Sequence, residues 1–220
     1  MLQEHILDRD RARLMLMELI SAGVVERDHP LSERGLAEKL QLGRTPVREA
    51  IRDLARDGIL RVVPGYGTVL RRLTIEDLRE ILEVRHALEG MACELAAQHG
   101  STPELDGYSE LFNKLKSEPS VSPTQIQAHN LDFHHAIFDA AGNRSLKEMY
   151  GNLRIRMQAS MEITHNHDSD RIHQSVVEHL SIIAAITARE PEAARNAMRM
   201  HLANGYETRV RVLAGLPRQG

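Results

Sequence analysis

Only one place in these 220 residues reads as a β-hairpin. Two short apolar runs, Ile59–Val63 and Thr68–Leu70, flank Pro64-Gly65-Tyr66-Gly67, a turn-forming tetrad whose glycines accept positive φ. Every other patterned stretch repeats its apolar residues at the three- and four-residue spacing of an amphipathic helix. A lone hairpin cannot form a sheet-based core. The chain is therefore expected to be mainly α, with the hairpin attached to a helical body.

What precedes the hairpin gives it a context. Residues 8–22 read as an amphipathic helix with Leu14, Leu16, Met17 and Ile20 on its apolar side, ended by Gly23. Pro30 breaks the chain, and Ser32 is placed to cap a short helix over 33–40. After the tight connection Gln41–Arg44, a third helix is expected over 46–57, with Thr45 as its N-cap and Pro46 in its first turn. Val47, Ile51 and Leu54 line its inner side. Helix, helix, tight turn, helix and hairpin is the order of a winged helix-turn-helix, here residues 1–72.

After residue 73 no strand signal recurs. Thr74 caps a long helix to about residue 98, with Ile75, Leu78, Leu82, Leu88, Met91 and Leu95 at helical spacing. Further helices fit 103–116, 123–141, 144–164, 171–189 and 191–213, with a loop over Ser117–Thr124 and a break at His165–Asp168. Residues 73–220 are expected to form an all-α bundle of about six helices. Without Trp and with 3% aromatic residues, the core of the whole chain must be aliphatic, the nine Met filling gaps.

Charge separates the two halves. The net charge of −3 hides a segment, 44–72, with seven Arg against three acids, whereas 73–220 carries 15 basic and 20 acidic residues. A basic stripe inside an acidic protein suits a nucleic-acid contact. Arg48, Arg52 and Arg56 recur every four residues on the outer side of the third helix, with Arg44 at its start. Arg44 and Arg48 can reach guanine edges in a major groove, and Arg34 on the preceding helix can clamp a phosphate or base. Arg52 and Arg56 alternate with Glu49, Asp53 and Asp57 and read as a solvated, salt-bridged face. No window has the 18 apolar residues of a membrane span, and the N-terminus lacks the apolar core of a secretory signal, so a cytoplasmic location is expected.

Ten of the 12 His lie after residue 73, and Cys93 is the only cysteine, a buried small hydrophobe by its position. Imidazole chemistry is therefore expected in the second half, through metal binding or pH sensing. Asn130 and His134 share one helix face; His179 and His201 sit in apolar stripes of two other helices. Three buried imidazoles are costly unless partnered, and a divalent ion with open positions would serve them together. Three independent core histidines are the competing reading. Asp132 and His135 project at other angles, and His165 and His167 read as loop residues. Arg85 lies in the apolar stripe of the long helix, either paired with a buried Glu or free for an anionic ligand.

The string Leu31-Ser32-Glu33-Arg34-x-Leu36-Ala37-Glu38-x-Leu40, then Gly43-Arg44-Thr45-Pro46-Val47-Arg48-Glu49-Ala50-Ile51, then Asp57-Gly58-Ile59-Leu60 and Pro64-x-x-Gly67, resembles the GntR family of bacterial regulators. Gly43 stands where that family usually has Ser, removing one hydroxyl. The resemblance implies that Arg34, Arg44, Thr45, Arg48 and Gly65 touch DNA. Arg85-x-x-Leu88-Glu89, Phe133-His134-x-Ala136-Ile137, Ala140-Ala141-Gly142-Asn143, Glu178-His179-x-x-Ile182 and Met200-His201-Leu202 are similar to the FadR-type branch, whose effector domain is called FCD. Six helices rather than seven lean toward its VanR-type subgroup.

The resemblance implies a metal site of Asn130, His134, His179 and His201 holding Zn, Ni or a similar divalent ion. Asn130 replaces a common Asp, which removes one negative charge and lowers the expected metal affinity. It also implies a small organic acid as effector, gripped by Arg85 with Arg156 as a second clamp, and a homodimer on a near-palindromic double-stranded DNA operator. The expected function is a sequence-specific transcriptional regulator, not an enzyme, with no membrane partner. A metal-dependent hydrolase is the first alternative, although no His-Glu-x-x-His string is present and Glu178 is the one obvious base. A DNA-binding protein that ignores ligands is the second.

Overall fold

The computed structural model describes residues 7–21, 24–26, 29–71, 73–117, 123–161 and 169–216, with backbone alone for parts of 123–128, 152–161 and residue 169. They group into two compact units: residues 1–73 together with 154–162, and residues 74–153 together with 163–220. Among the described residues no helix is long and apolar enough to cross a membrane.

The first unit contains α1 (Asp8–Ser21), α2 (Glu33–Leu40), α3 (Arg44–Arg56) and a hairpin of β1 (Leu60–Val63) and β2 (Gly67–Leu70). Ser32 caps α2 as expected, its Oγ accepting from Gly35 N at 3.1 Å. The α3 helix starts earlier than expected. Gly43, not Thr45, is its N-cap, and it makes no side-chain cap. Pro46 then stands third in the helix, where a missing N–H still costs nothing, because a helix's first N–H groups have no intrahelical acceptor. Ala12, Leu16 and Ile20 of α1 pack with Ala37 and Leu40 of α2, Val47, Ile51 and Leu54 of α3, and Leu60 and Leu70 of the hairpin. Leu14, expected on the apolar side of α1, is instead exposed.

The strands pair antiparallel, with Leu60 opposite Leu70 and Val63 opposite Gly67. Tyr66 N donates to Val63 O at 3.0 Å, closing a turn over Pro64 and Gly65. Gly65 has φ +74°, the left-handed value that Gly accepts at this turn position. Gly67 is needed for space as well. It has φ +128°, and a Cβ there would stand 2.8 Å from Cβ of Pro30. The chain entering α2 runs along β2 at that point, Leu31 N donating to Thr68 O at 2.7 Å.

Six helices follow among the described residues: α4 (Ile75–His99), α5 (Pro103–Ser117), α6 (Pro123–Ala140), α7 (Arg144–Met161), α8 (Ser169–Thr187) and α9 (Pro191–Leu213); all group in the second unit except the end of α7 from residue 154 on, which groups with the first. A capping box opens α4: Thr74 Oγ1 accepts from Asp77 N, and Asp77 Oδ2 accepts from Thr74 N at 2.8 Å. The buried stripe of α4 is shifted from the expected one. Leu78, Ile81, Arg85, Glu89, Ala92, Cys93 and Ala96 face inward, while Ile75 and Met91 are exposed. Small residues and an ion pair let helices approach α4 closely, which apolar spacing alone does not reveal.

Among the described residues Met17 and Met198 are buried and Met15 packs half-buried against the core, as expected of gap fillers, but Met91, Met149 and Met200 are exposed. The gaps are filled by aromatics. Phe112, Phe133, Phe138 and Tyr150 are fully buried, and Phe138 stacks on Tyr150 with centroids 4.1 Å apart.

Candidate nucleic-acid interface and metal centre

The start of α3 is the polar face of the first unit. Its first turn holds no acid, and the N–H groups of Arg44 and Thr45 have no partner within the helix. Together with the helix dipole they make an anion-binding end. Arg44 and Thr45 are exposed there. Arg48, one turn on, is held by Glu33 of α2 at 3.0 Å, and Arg34 by Glu38 at 3.0 Å. Both are exposed enough to trade these partners for phosphate or base, since such pairs contribute little. Arg56 pairs with Asp53 at 3.2 Å, as expected for a solvated face. Gly65 lies at the exposed hairpin tip with nothing within 4 Å of the place a Cβ would take.

Inside the second unit three imidazoles converge. His134 on α6, His179 on α8 and His201 on α9 are buried, and one ring nitrogen from each lies within 4.8 Å of the others. Helix spacing explains the inward aim of each. His134 follows Phe133 on the buried face of α6, His179 precedes Ile182, Ile183 and Ile186, and His201 lies between Met198 and Leu202.

Two buried carboxylates stand behind these rings. Glu89 Oε2 accepts from Nδ1 of His134 at 2.5 Å, and Glu178 Oε2 accepts from Nδ1 of His201 at 2.7 Å. Each carboxylate has further partners. Arg85 donates to Glu89 at 2.5 and 3.3 Å, and Glu178 accepts from Arg171 at 2.8 Å and from Asn204 at 2.7 Å. Carboxylates accept, so each Nδ1 carries the proton and each Nε2 turns its lone pair inward. Those two Nε2 atoms face each other at 3.2 Å. Two lone pairs at that distance require a positive charge between them, a proton or a cation.

Electrostatics match this arrangement. Burial alone would raise the Glu89 carboxyl, but Arg85 and His134 more than offset it and hold it at about 2. Burial and then the neighbouring imidazoles and Arg171 and Arg85 push His179 and His201 well below the ordinary imidazole range. His179 has no hydrogen-bond partner on either ring nitrogen, although Phe112 and Phe133 pack on it at 4.9 and 4.5 Å between centroids. One turn before His134, Oδ1 of Asn130 is also enclosed without a partner. Inward-facing imidazole nitrogens, two of them on rings held by buried carboxylates, and an orphaned amide oxygen together form a donor set suited to a divalent metal.

Comparison with known proteins bears on both units. Residues 9–70 match the bacterial regulatory proteins of the gntR family, and residues 80–204 match the FCD domain. The chain belongs to the GntR family, in its FCD-containing branch. A Paenarthrobacter nicotinovorans protein described as a probable D-xylose utilization operon transcriptional repressor is 33% identical over 188 residues, 84% of this chain and 80% of that one. Escherichia coli McbR superposes with a TM-score of 0.79 at 24% identity, covering 94% of this chain and 98% of that one. A GntR regulator from Rhodococcus sp. RHA1 gives 0.74 at 19% identity, covering 95% and 99%. This GntR-family chain is thus a DNA-binding transcriptional regulator, not an enzyme. The hydrolase reading is set aside, and Glu178 is no free base but the partner of His201.

The structure brings together His134, His179 and His201 of the expected ligand set and puts Asn130 on the same helix as His134. Arg85 takes the first of its two expected roles, pairing with buried Glu89. His135 turns away to Asp139 at 3.2 Å, and Cys93 is buried. Arg156 and Arg154 lie on α7 where side chains are outside the described residues, and His165 and His167 lie outside them altogether. Sequence reasoning gave no role to Glu89, Arg171 or Arg209, and considered Glu178 only as a base, not as the partner of a histidine. The signal for Glu89 was present in its i,i+4 spacing from Arg85. For Glu178 the spacing of seven residues from Arg171 on α8 was such a signal, but its partners His201 and Asn204 come from α9 and left none.

Proposed function

We propose that this GntR regulator works as a homodimer on a near-palindromic operator, and that a small organic acid bound at a metal in its FCD domain controls its affinity for DNA. In this reading each protomer lays α3 in a major groove. Arg44 and Arg48 reach base edges, Thr45 and the helix start meet a phosphate, Arg34 clamps the backbone, and Gly65 lets the wing tip approach DNA closely. By likeness to the Paenarthrobacter repressor, occupancy of the operator silences transcription.

The observation that carries the sensing half is the 3.2 Å meeting of the His134 and His201 Nε2 atoms beside partnerless His179. His134, His179 and His201 would hold the ion, with Asn130 as a neutral fourth donor. Bound there, a divalent ion supplies a Lewis-acidic position for an effector carboxylate. Glu89 and Glu178 keep the imidazole tautomers aligned for it. Arg85, already charge-balanced by Glu89, offers a donor edge to the same acid. The acid's unequal affinity for two arrangements of the protein would shift the population that fits the operator.

The test is a gel shift on an operator selected from random duplexes, at fixed salt, with metal-loaded protein and a panel of organic acids. Metal bound near one per chain, and an acid that changes operator affinity at least about fivefold, are expected. Protein that takes up no divalent ion, or operator binding indifferent to every acid, would overturn this reading.

A further inference from the structure

One guanidinium near the histidine site has no counterion. Arg85 is answered by Glu89 and Arg171 by Glu178. Arg209, two turns beyond His201 on α9, has its Nε enclosed with no hydrogen-bond partner, and among the described residues no carboxylate pairs with it. Buried polar groups are costly alone, and charged ones more so. Burial first, and then the charges of Arg85 and Arg171, push Arg209 down to about 9, with only Glu89 acting in the other direction.

Arg209 and Arg171 approach the same glycine. A Cβ built on Gly205 would be 3.6 Å from Nη1 of Arg209 and 3.7 Å from Nη2 of Arg171. The two guanidiniums therefore flank the bare backbone at Gly205. Arg171 Nη2 also donates to the His201 carbonyl at 3.2 Å and to Glu178, which holds the His201 ring. A short chain of neighbours thus links Arg209 to the proposed metal ligands. Three guanidiniums face two carboxylates here, and a divalent ion adds two more positive charges. An acid with one carboxylate, taken by the ion, leaves Arg209 unanswered.

We propose that the ligand of this site is a small acid with two anionic groups, one at the metal and the other held between Arg209 and Arg171 across Gly205. This rests on the metal-and-acid reading above and specifies the acid. The second group can be a carboxylate or a phosphate, since a guanidinium fork accepts either. Gly205 keeps the space between the two forks open.

Calorimetric titration of the full chain loaded with zinc tests it, with acetate, succinate and 2-phosphoglycolate as probes and bound zinc measured by mass spectrometry. Succinate or 2-phosphoglycolate should bind about tenfold tighter than acetate, the gain expected from one charge-assisted hydrogen bond. Whichever binds tighter identifies the second group. Arg209→Gln should bring that ratio close to one, Arg209→Lys should restore part of it, and Gly205→Ala should reduce it by placing a methyl in the space between the two guanidiniums that the second anionic group needs. Gly205→Ala keeps the test open if Arg209→Gln fails to fold. Equal binding of all three acids by zinc-loaded protein, or an unchanged ratio in the variants, overturns this inference and leaves the metal reading standing. Protein that retains no zinc overturns both.

Discussion

Replacing Glu89 with Gln keeps the shape of the side chain and removes its charge. Glu89 is wholly buried and accepts from two groups, Arg85 at 2.5 and 3.3 Å and Nδ1 of His134 at 2.5 Å. Removing one partner of a buried ion pair costs about 3–5 kcal/mol, because the remaining charge stays buried alone. At about 2–4 °C per kcal/mol for a unit of this size, apo protein should melt roughly 6 to 20 °C lower. A second effect follows from orientation. An amide oxygen turned toward Arg85 places the amide NH2 against His134, and Nδ1 must then accept. The proton moves to Nε2, where a metal ligand needs a lone pair, so zinc affinity should fall toward the upper end of the roughly 10–100-fold typical of such supporting groups. The double variant Arg85→Met with Glu89→Leu separates the effects. It should recover most of the stability, since apolar replacements of a buried pair are close to neutral, but not the zinc affinity. Thermal denaturation of apo protein and zinc competition against a fluorescent chelator measure the two. Glu89→Gln protein with wild-type melting and wild-type zinc affinity would refute the Arg85–Glu89–His134 linkage.

Three other consequences can be checked. Arg44→Gln and Arg48→Gln should each weaken operator binding by about 1–3 kcal/mol and relax its sequence preference; unchanged operator affinity and preference in folded protein would remove α3 from the DNA. His179 and His201 resist protonation when folded, whereas the unfolded chain takes up protons from about pH 6.5 downward. Apo stability should therefore fall as pH drops below that value, and His179→Leu should flatten the slope in melting scans from about pH 7.5 to 5.5. Gly67→Ala should cost about 1–3 kcal/mol of backbone strain plus the clash with Pro30, and Gly65→Ala about 1–2 kcal/mol, because only its φ objects. Equal melting temperatures for the two variants would contradict the close packing of the hairpin on the α2 entrance.

Local signals were readable in the sequence where the chain itself supplied both partners. Ser32 and Thr74 cap their helices because the acceptor and the N–H groups lie three residues apart. The hairpin follows from Pro64-Gly65, and the burial of His134, His179 and His201 from their apolar neighbours. Thr45 was misread because Thr commonly caps and Gly43 carries no side chain to announce itself. The stripe on α4 was misplaced because Glu89 counts as polar and Ala92, Cys93 and Ala96 carry little apolar weight, although all four face inward with Arg85. Links that cross from helix to helix were not legible at all. His201 meets Glu178 across 23 residues and His134 meets Glu89 across 45, distances over which no periodicity reports.

The placement of carboxylates behind the histidines, instead of on the ion, gives the proposed site its chemical character. Three neutral imidazoles and an amide would leave the full charge of a divalent ion uncancelled. A carboxylate in place of Asn130 would retain the ion more firmly, but would also spread negative charge toward the incoming acid. In the proposed site, Asn130 would exchange part of that retention for a stronger pull on an anion. Glu89 and Glu178 contribute their charge from behind the rings, where it fixes tautomers and balances Arg85 and Arg171. Among the described residues, Arg209 is the charge this scheme leaves open. Asn130→Asp should accordingly raise zinc affinity while lowering the affinity of zinc-loaded protein for succinate. A gain in both would mean that the ion's charge does not govern the acid, and the coupling between metal and effector would need another origin.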